Sequence, residues 1–183
     1  MACILQNVNT STCPIIKSGV SQYHVVPCES VLTETTTVDA NGCVTLSNMT
    51  VSPLGTGATI VPADNTGQFS VNGTKNGQTI SSEVNIQFNV AGVDCSGLCS
   101  ARLYEDCCCV KVFVQLPTGD VVYFGSNFSA TGAVTPYTSK LSSVTNVITD
   151  VGTGTSRIEY SITGTAAVKP ICSTIPWATI TSF

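Results

Sequence analysis

Charged residues are scarce in this chain, and cations are the scarcest of them. Only 7 Lys and Arg occur in 183 residues, and charged residues of both signs make up 10%, against about 25% in typical soluble proteins. Proteins that grip nucleic acid neutralise phosphates with clustered cations, so this composition and a net charge of −4 argue against such a surface. The cations are scattered, at Lys17, Lys75, Arg102, Lys111, Lys140, Arg157 and Lys169.

Long apolar runs are also missing. No run approaches the roughly 18 residues of a membrane-spanning helix. The first residues, "MACILQNVNTSTC", have neither the basic start nor the apolar stretch of a secretory signal peptide. We therefore expect a chain without a membrane anchor that folds in a reducing cytoplasm.

Catalytic motifs are absent as well. The chain has no glycine-rich phosphate loop, no nucleophile elbow and no zinc-protease motif. The single histidine, His24, lies in the strand-like "QYHVVP", where we expect a half-buried structural role. The adjacent Glu105 and Asp106 are interpreted as a solvated helix end. We expect no enzymatic activity, no cofactor and no metal site.

What the sequence does contain is period-two alternation, the pattern of β-strands. "GQFSVN" (67–72) and "SEVNIQFNV" (82–90) alternate apolar and polar residues, and "GTKNG" (73–77) between them is rich in turn formers. We predict one long β-hairpin at about 67–90. Its apolar, core-facing residues are Phe69, Val71, Val84, Ile86, Phe88 and Val90. Its polar residues are Gln68, Ser70, Asn72, Glu83, Asn85, Gln87 and Asn89.

Further strands are predicted at 23–26, 43–51, 109–116, 120–125 and 156–164. Turn signals separate them at Asn41-Gly42, "PTGD" (117–120) and "GTGT" (152–155). One short helix is predicted at about 94–106, and 51–67 is interpreted as an extended loop. The fold class is therefore mainly β: a β-sandwich or barrel with a long hairpin and one short α-helix, in a single domain spanning 1–183.

The 10 cysteines have three possible explanations. A zinc site would have to combine Cys95 and Cys99 with the run 107–109, but consecutive residues of a strand point to opposite faces. In such a strand Cys108 shares the core face with Val110, Val112, Val114 and Leu116, and Lys111 lies on the other face. A disulfide framework needs an oxidising compartment. The favoured interpretation is that the cysteines are reduced, buried packing residues.

The order of elements in the middle third resembles a known family. A polar hairpin (67–90), a short helix (94–106), a hydrophobic strand (107–116), a "TGD" turn and an aromatic strand "VVYFG" are followed by "RIEYSITGT". This layout resembles the tail tube proteins of tailed bacteriophages, including those of Bacteroidetes-type hosts. The opening "MAC" with a second cysteine at Cys13 also resembles small tail proteins of those phages. The high cysteine content and the lack of a clear N-terminal arm depart from the family.

The resemblance implies a structural virion protein of the viral tail that self-assembles into stacked homohexameric rings. In that family the hairpins join into a continuous barrel around a lumen that carries double-stranded DNA during genome ejection. It implies that the polar hairpin residues face the lumen, and that the partners are other copies of the chain, other tail or neck proteins, and DNA in transient, non-specific passage. Assembly would take place in the host cytoplasm. The alternatives are a head decoration, head-fibre or tail terminator protein, or a secreted β-sandwich adhesin.

Overall fold

Strands with buried apolar residues dominate the computed structural model, which confirms the predicted mainly β fold class. The structure describes residues 19–53, 57–62, 67–76, 79–91, 110–129, 131–135, 147–151, 155–164 and 170–183. The strands are β1 (Gln22–Pro27), β2 (Val31–Val38), β3 (Val44–Val51), β4 (Ala58–Ile60), β5 (Gln68–Asn76), β6 (Thr79–Ala91), β7 (Val110–Gln115), β8 (Val121–Phe124), β9 (Asn127–Phe128), β10 (Val134–Thr135), β11 (Val147–Val151), β12 (Thr155–Gly164) and β13 (Ile171–Ser173).

Seven of these strands form a mixed sheet in the order β2-β3-β13-β8-β7-β1-β4. Every neighbouring pair is antiparallel except β13 and β3, which run parallel. The sheet curls into half a barrel. One face carries the main apolar cluster, whose buried members include Leu46, Phe113, Tyr123 and Ile180.

A second sheet has four strands in the order β11-β12-β6-β5, and β9 pairs with β10 in a small hairpin. The chain ends in a one-turn helix, Trp177–Ile180. This helix packs on the large sheet because Ile180 is fully buried in its apolar cluster and the Trp177 indole N–H donates to Gln22 Oε1 at 2.9 Å.

Two of the predicted turns are built as their residues suggest. Asp39 Oδ1 accepts hydrogen bonds from the backbone N–H groups of Asn41 and Cys43, and Gly42 has a φ of 82° that other residues adopt reluctantly. At 117–120, Gly119 has a φ of 93° and the Leu116 N–H donates to Asp120 O at 2.9 Å. Both turns therefore connect antiparallel neighbours, β2 to β3 and β7 to β8.

Some elements differ from the sequence prediction. The stretch 51–67 is not only a loop, because it contains β4, which pairs with β1. The Thr-rich β2 was not predicted, since "VLTETTTV" lacks apolar alternation. The predicted helix at 94–106 and the cysteines at 107–109 lie outside the described residues. Of the predicted turn at 152–155, Thr155 begins β12 and 152–154 lie outside the described residues.

The assignment of faces on β7 was wrong in one respect. Val110, Val112 and Val114 are buried as predicted, but Lys111 and Phe113 on the opposite face are buried too. β7 pairs along both of its edges, with β8 and β1, and side chains on both of its faces are buried. Lys111 is therefore not a surface residue, and its charge needs an internal partner.

Candidate functional site

A long hairpin is present where it was predicted, but its strands extend further than expected. Residues 73–76, assigned to the loop 73–77 from the sequence, belong to β5 and pair with β6. β5 and β6 pair antiparallel over nine rungs, from Gln68 opposite Gln87 to Asn76 opposite Thr79. The far side of β6 pairs with β12, from Val84 opposite Gly164 to Ala91 opposite Arg157. The hairpin is thus part of a sheet in which β6, with 13 residues, is the long central strand.

The pairing places the predicted polar positions on common rungs. Ser70 lies opposite Asn85, and Asn72 opposite Glu83. Gln68 and Ser70 are exposed, as predicted for the wet face. The side chains of Asn72, Glu83, Asn85, Gln87 and Asn89 lie outside the described part of the structure, so their lumen assignment stays a prediction.

The apolar positions also share rungs. Phe69 lies opposite Ile86, and Val71 opposite Val84. Ile86 is fully buried and Phe69 half-buried, as predicted for the core face. Phe88 and Val90 lie opposite Tyr160 and Ile158 of β12, so apolar positions continue across a third strand. The structure does not describe the side chains of the other apolar positions, which are Val71, Val84, Phe88 and Val90.

Three polar positions of β12 were missed from the sequence. Glu159, Ser161 and Thr163 lie opposite Asn89, Gln87 and Asn85. The alternation in "RIEYSITG" predicted a strand. The sequence did not show that this strand pairs with β6. The register extends the polar face of the hairpin by one strand.

The base of the hairpin is tied to the large sheet. The Tyr23 hydroxyl donates to Gln68 O at 3.0 Å, and the Val20 N–H donates to Gly67 O at 3.2 Å. Burial raises the pKa of Tyr23 well above its usual range, so the hydroxyl stays a donor. A Cβ at Gly67 would lie only 2.9 Å from Pro62 Cγ, which explains the glycine at this close approach.

A groove of about 320 Å³ lies beside this joint. Its lining residues are Gly19, Val20, Gly67, Gln68, Phe69, Ser70 and Leu116. None of these described lining residues is ionisable. It offers apolar contacts, backbone polar groups and the uncharged polar side chains of Gln68 and Ser70.

The most polar site in the described structure lies inside the half-barrel. Lys111 Nζ is 3.0 Å from Glu34 Oε1, and the two side chains are 8% and 6% exposed. Lys111 Nζ also lies 2.5 Å from Ser126 Oγ. The Tyr123 hydroxyl donates to Glu34 Oε1, and Ser126 Oγ lies 2.8 Å from each carboxylate oxygen. We call these four residues the polar cluster.

The contact between Glu34 and Lys111 requires a curled sheet. β2, which carries Glu34, and β7, which carries Lys111, are separated by β3, β13 and β8, a span of about 19 Å in a flat sheet with strands about 4.8 Å apart. The two side chains are too short to bridge that span. Because Glu34 lies opposite Met49, a member of the apolar cluster, the shared face is the concave one.

Burial keeps the Tyr123 phenol protonated. Desolvation raises its pKa well above its usual range, and the Glu34 carboxylate adds to that rise. Tyr123 is therefore a permanent hydrogen-bond donor to Glu34. The sequence gave little sign of this site, because Glu34 lies in a polar Thr-rich run and its partners are distant in the chain.

His24 is fully buried, more deeply than predicted. Its Nδ1 lies 2.9 Å from Thr59 Oγ1, and within the described residues its Nε2 has no hydrogen-bond partner. A Cβ at Gly57 would collide with Nε2, so the ring is closed in by the backbone. Within the described residues the hydroxyl of Thr59 is the ring's hydrogen-bond partner, and no carboxylate is bonded to the ring.

Acid should destabilise the protein through His24. Burial lowers the pKa of His24 from 6.5 to about 4. Between these two pH values the imidazole is protonated in the unfolded chain but neutral in the folded protein. The free energy of unfolding is therefore expected to be highest above pH 6.5 and to decrease as the pH falls from 6.5 to about 4. Its slope against pH in this range should correspond to the uptake of about one proton on unfolding. Denaturant titrations across this range should show a shallower slope for His24→Asn; identical slopes would contradict the assignment.

The described cysteines do not match the favoured interpretation of buried thiols. Cys43 and Cys172 are free but exposed, and Cys28 is disulfide-bonded. For Cys43 and Cys172 the predicted reduced state is confirmed but the predicted burial is wrong, and for Cys28 the predicted reduced state is wrong. The proposed zinc ligands lie outside the described residues.

Searches of the described residues find neither a metal cluster nor a membrane helix. No group of three or more His, Cys, Asp or Glu side chains there could hold a metal ion. No described helix is long and apolar enough to cross a membrane.

Comparison with known proteins adds no relative. No protein-family model, curated protein or solved structure matches the chain. The functional argument therefore rests on the chain's own sequence and geometry.

Proposed function

We propose that this protein is a structural subunit that assembles into stacked rings of the phage tail tube type, with no enzymatic activity. The observation that carries the proposal is the β5–β6 hairpin with β12 beside it, which aligns polar positions over three strands. The phage assignment itself rests on the resemblance in element order.

The charge along these rungs suits a conduit for DNA. The polar positions of β5 and β6 include one charged residue, Glu83, and those of β12 add Glu159 and, at its beginning, Arg157. A wall with so few cations offers DNA phosphates little attraction, because phosphate binding is driven by Lys and Arg. Such a wall would let a duplex slide past without sticking.

The sheet edges suit lateral association. Among the described strands, β5 and β11 border the four-stranded sheet and have a strand partner on one side only. Open edges of long strands pair readily with other chains. Pairing β5 of one copy with β11 of the next would repeat head to tail, and such an arrangement closes into a ring when the rotation allows it.

Negative-stain electron microscopy of the concentrated protein tests the proposal. We expect rings or tubes with a channel wide enough for a DNA duplex. Ser70→Pro removes a backbone donor from edge strand β5 and should reduce assembly; circular dichroism would check that the variant is folded. A wild-type protein that stays monomeric at high concentration would contradict the proposal.

A second candidate is a secreted β-sandwich adhesin, and the disulfide at Cys28 favours it. Disulfides persist in oxidising compartments and on virion or cell surfaces. An adhesin domain would stay monomeric and bind a glycan or protein through its uncharged Thr-rich surface. The same microscopy therefore separates the two candidates, and a glycan-binding screen would follow a monomeric result.

A further inference from the structure

The polar cluster brings an amine and a carboxyl group together under conditions unusual for an ion pair. Ser126 and Tyr123 are completely buried, and Lys111 and Glu34 nearly so. Burying two charges costs several kcal/mol per ion unless the pair is fully hydrogen-bonded. Transfer of one proton from the Lys111 ammonium to the carboxylate would leave a neutral amine beside a carboxylic acid and remove both charges.

Tyr123 and Ser126, which contact this pair, could each assist a reaction between the amine and the carboxyl group. Tyr123 donates to Glu34 Oε1, and a donor at that oxygen stabilises the negative charge that develops when a carbonyl carbon is attacked. Ser126 Oγ contacts Lys111 Nζ at 2.5 Å and Glu34 Oε2 at 2.8 Å. It can therefore pass a proton from the nitrogen to the oxygen that leaves.

We propose that Lys111 and Glu34 become joined by an intramolecular amide bond. The Nζ–Cδ bond forms, the bond from Cδ to Oε2 breaks, and Oε2 leaves as water. The ammonium supplies both protons of that water through Ser126. One ammonium and one carboxylate give one neutral amide and one water, so atoms and charge balance without an oxidant or other co-reactant.

The backbone supports this approach of the two groups. Gly125 has a φ of 141° and lies against Lys111, where a Cβ would be 2.9 Å from Lys111 Cα and Cγ. This contact holds the lysine stem toward Ser126, the next residue. Near-complete burial also limits the water that would reverse the condensation.

The bond would have a mechanical consequence. It would link edge strand β2 directly to β7, past the three strands that lie between them in the sheet order. The half-barrel could then not open along this span without breaking a covalent bond. The inference does not depend on the proposed function, since a tube subunit and an adhesin would both benefit from such a cross-link.

Mass spectrometry of the denatured, thiol-reduced protein tests the proposal. We expect an intact mass lower than the sequence mass by one water, and a branched proteolytic peptide that joins Glu34 to Lys111. Lys111→Arg keeps the positive charge but lacks the amine nucleophile, so it should have its full sequence mass. Ser126→Ala and Tyr123→Phe should lower the cross-linked fraction of the refolded protein.

The wild-type measurement decides the question even if a variant fails to fold. A full sequence mass after prolonged incubation would overturn the proposal and leave an ordinary ion pair. A missing water that maps to a peptide without Glu34 and Lys111 would overturn it as well. Ring formation is not part of this readout, so a failed proposal about function would not affect the result.

Discussion

Replacing Glu34 with alanine is expected to destabilise the protein by about 3–5 kcal/mol, the cost of leaving one partner of a buried ion pair alone. The variant would leave the Lys111 ammonium buried with a single described acceptor, Ser126 Oγ. The Tyr123 hydroxyl would lose its carboxylate partner at the same time. The loss is expected whether the two side chains are held by an ion pair or by an amide bond.

Removing the other partner should cost less. Lys111→Met leaves the Glu34 carboxylate with two hydroxyl donors, Tyr123 and Ser126, so its charge stays partly compensated. The double variant Glu34→Leu/Lys111→Met removes both charges and should recover part of the loss, since apolar replacement of a buried pair is often tolerated. Recovery should be incomplete because the Tyr123 and Ser126 hydroxyls, 3.3 Å apart, would retain only each other.

Equilibrium denaturation of Glu34→Leu, Lys111→Met and their double variant closes a double-mutant cycle, and Glu34→Ala is measured beside it. Thr35→Ala is the matched surface control, because Thr35 is an exposed neighbour of Glu34 on β2 and should change stability by less than about 0.5 kcal/mol. A Glu34→Ala cost as small as that of the control would mean that the pair is not buried in solution.

Strands marked by apolar residues at alternate positions or by a short apolar run could be predicted from the sequence. β1, β3, β7, β8 and β12 lie where apolar periodicity placed them, and the β5–β6 hairpin pairs in the register that the alternation of "SEVNIQFNV" requires. Alternating strands can be recognised in a sequence because successive side chains point to opposite faces of the sheet, so residues at every second position share a face. The turns at Asn41-Gly42 and 117–120 were readable for the same local reason.

Elements that depend on distant partners could not be predicted. β2 is Thr-rich and forms an edge of the large sheet, so its inward side is marked by a carboxylate instead of an apolar residue. Glu34 and Lys111 are 77 positions apart in the chain. Their contact exists only because the sheet curls, and no local pattern encodes that curl.

Cysteine chemistry was hidden for a different reason. Cys43 and Cys172 are exposed, but nothing in the sequence around them distinguishes these positions from buried ones. Composition alone favoured buried thiols, since free cysteine is among the most buried residue types. The disulfide at Cys28 also contradicts the expectation, drawn from the first residues of the chain, that the cysteines stay reduced.

Replacing Gly125 with alanine is expected to destabilise the fold by about 3–5 kcal/mol, the combined cost of backbone strain and overpacking. Its φ of 141° is unfavourable for any residue with a side chain. The added Cβ would also lie 2.9 Å from the Lys111 backbone at Cα, which cannot move away without shifting the central strand β7. The damage would spread to the polar cluster, because Ser126 is the adjacent residue and Lys111 the one displaced.

Gly119→Ala separates the two contributions. Gly119 also has a positive φ, 93°, but a Cβ there meets nothing within 4 Å, so only backbone strain of about 1–2 kcal/mol is expected. Thermal and denaturant unfolding of both variants should therefore differ by about 2 kcal/mol or more, the typical cost of overpacking a filled interior. Equal costs would mean that Gly125 is required for its backbone conformation alone, and that the close approach of Lys111 plays no part in holding the cluster together.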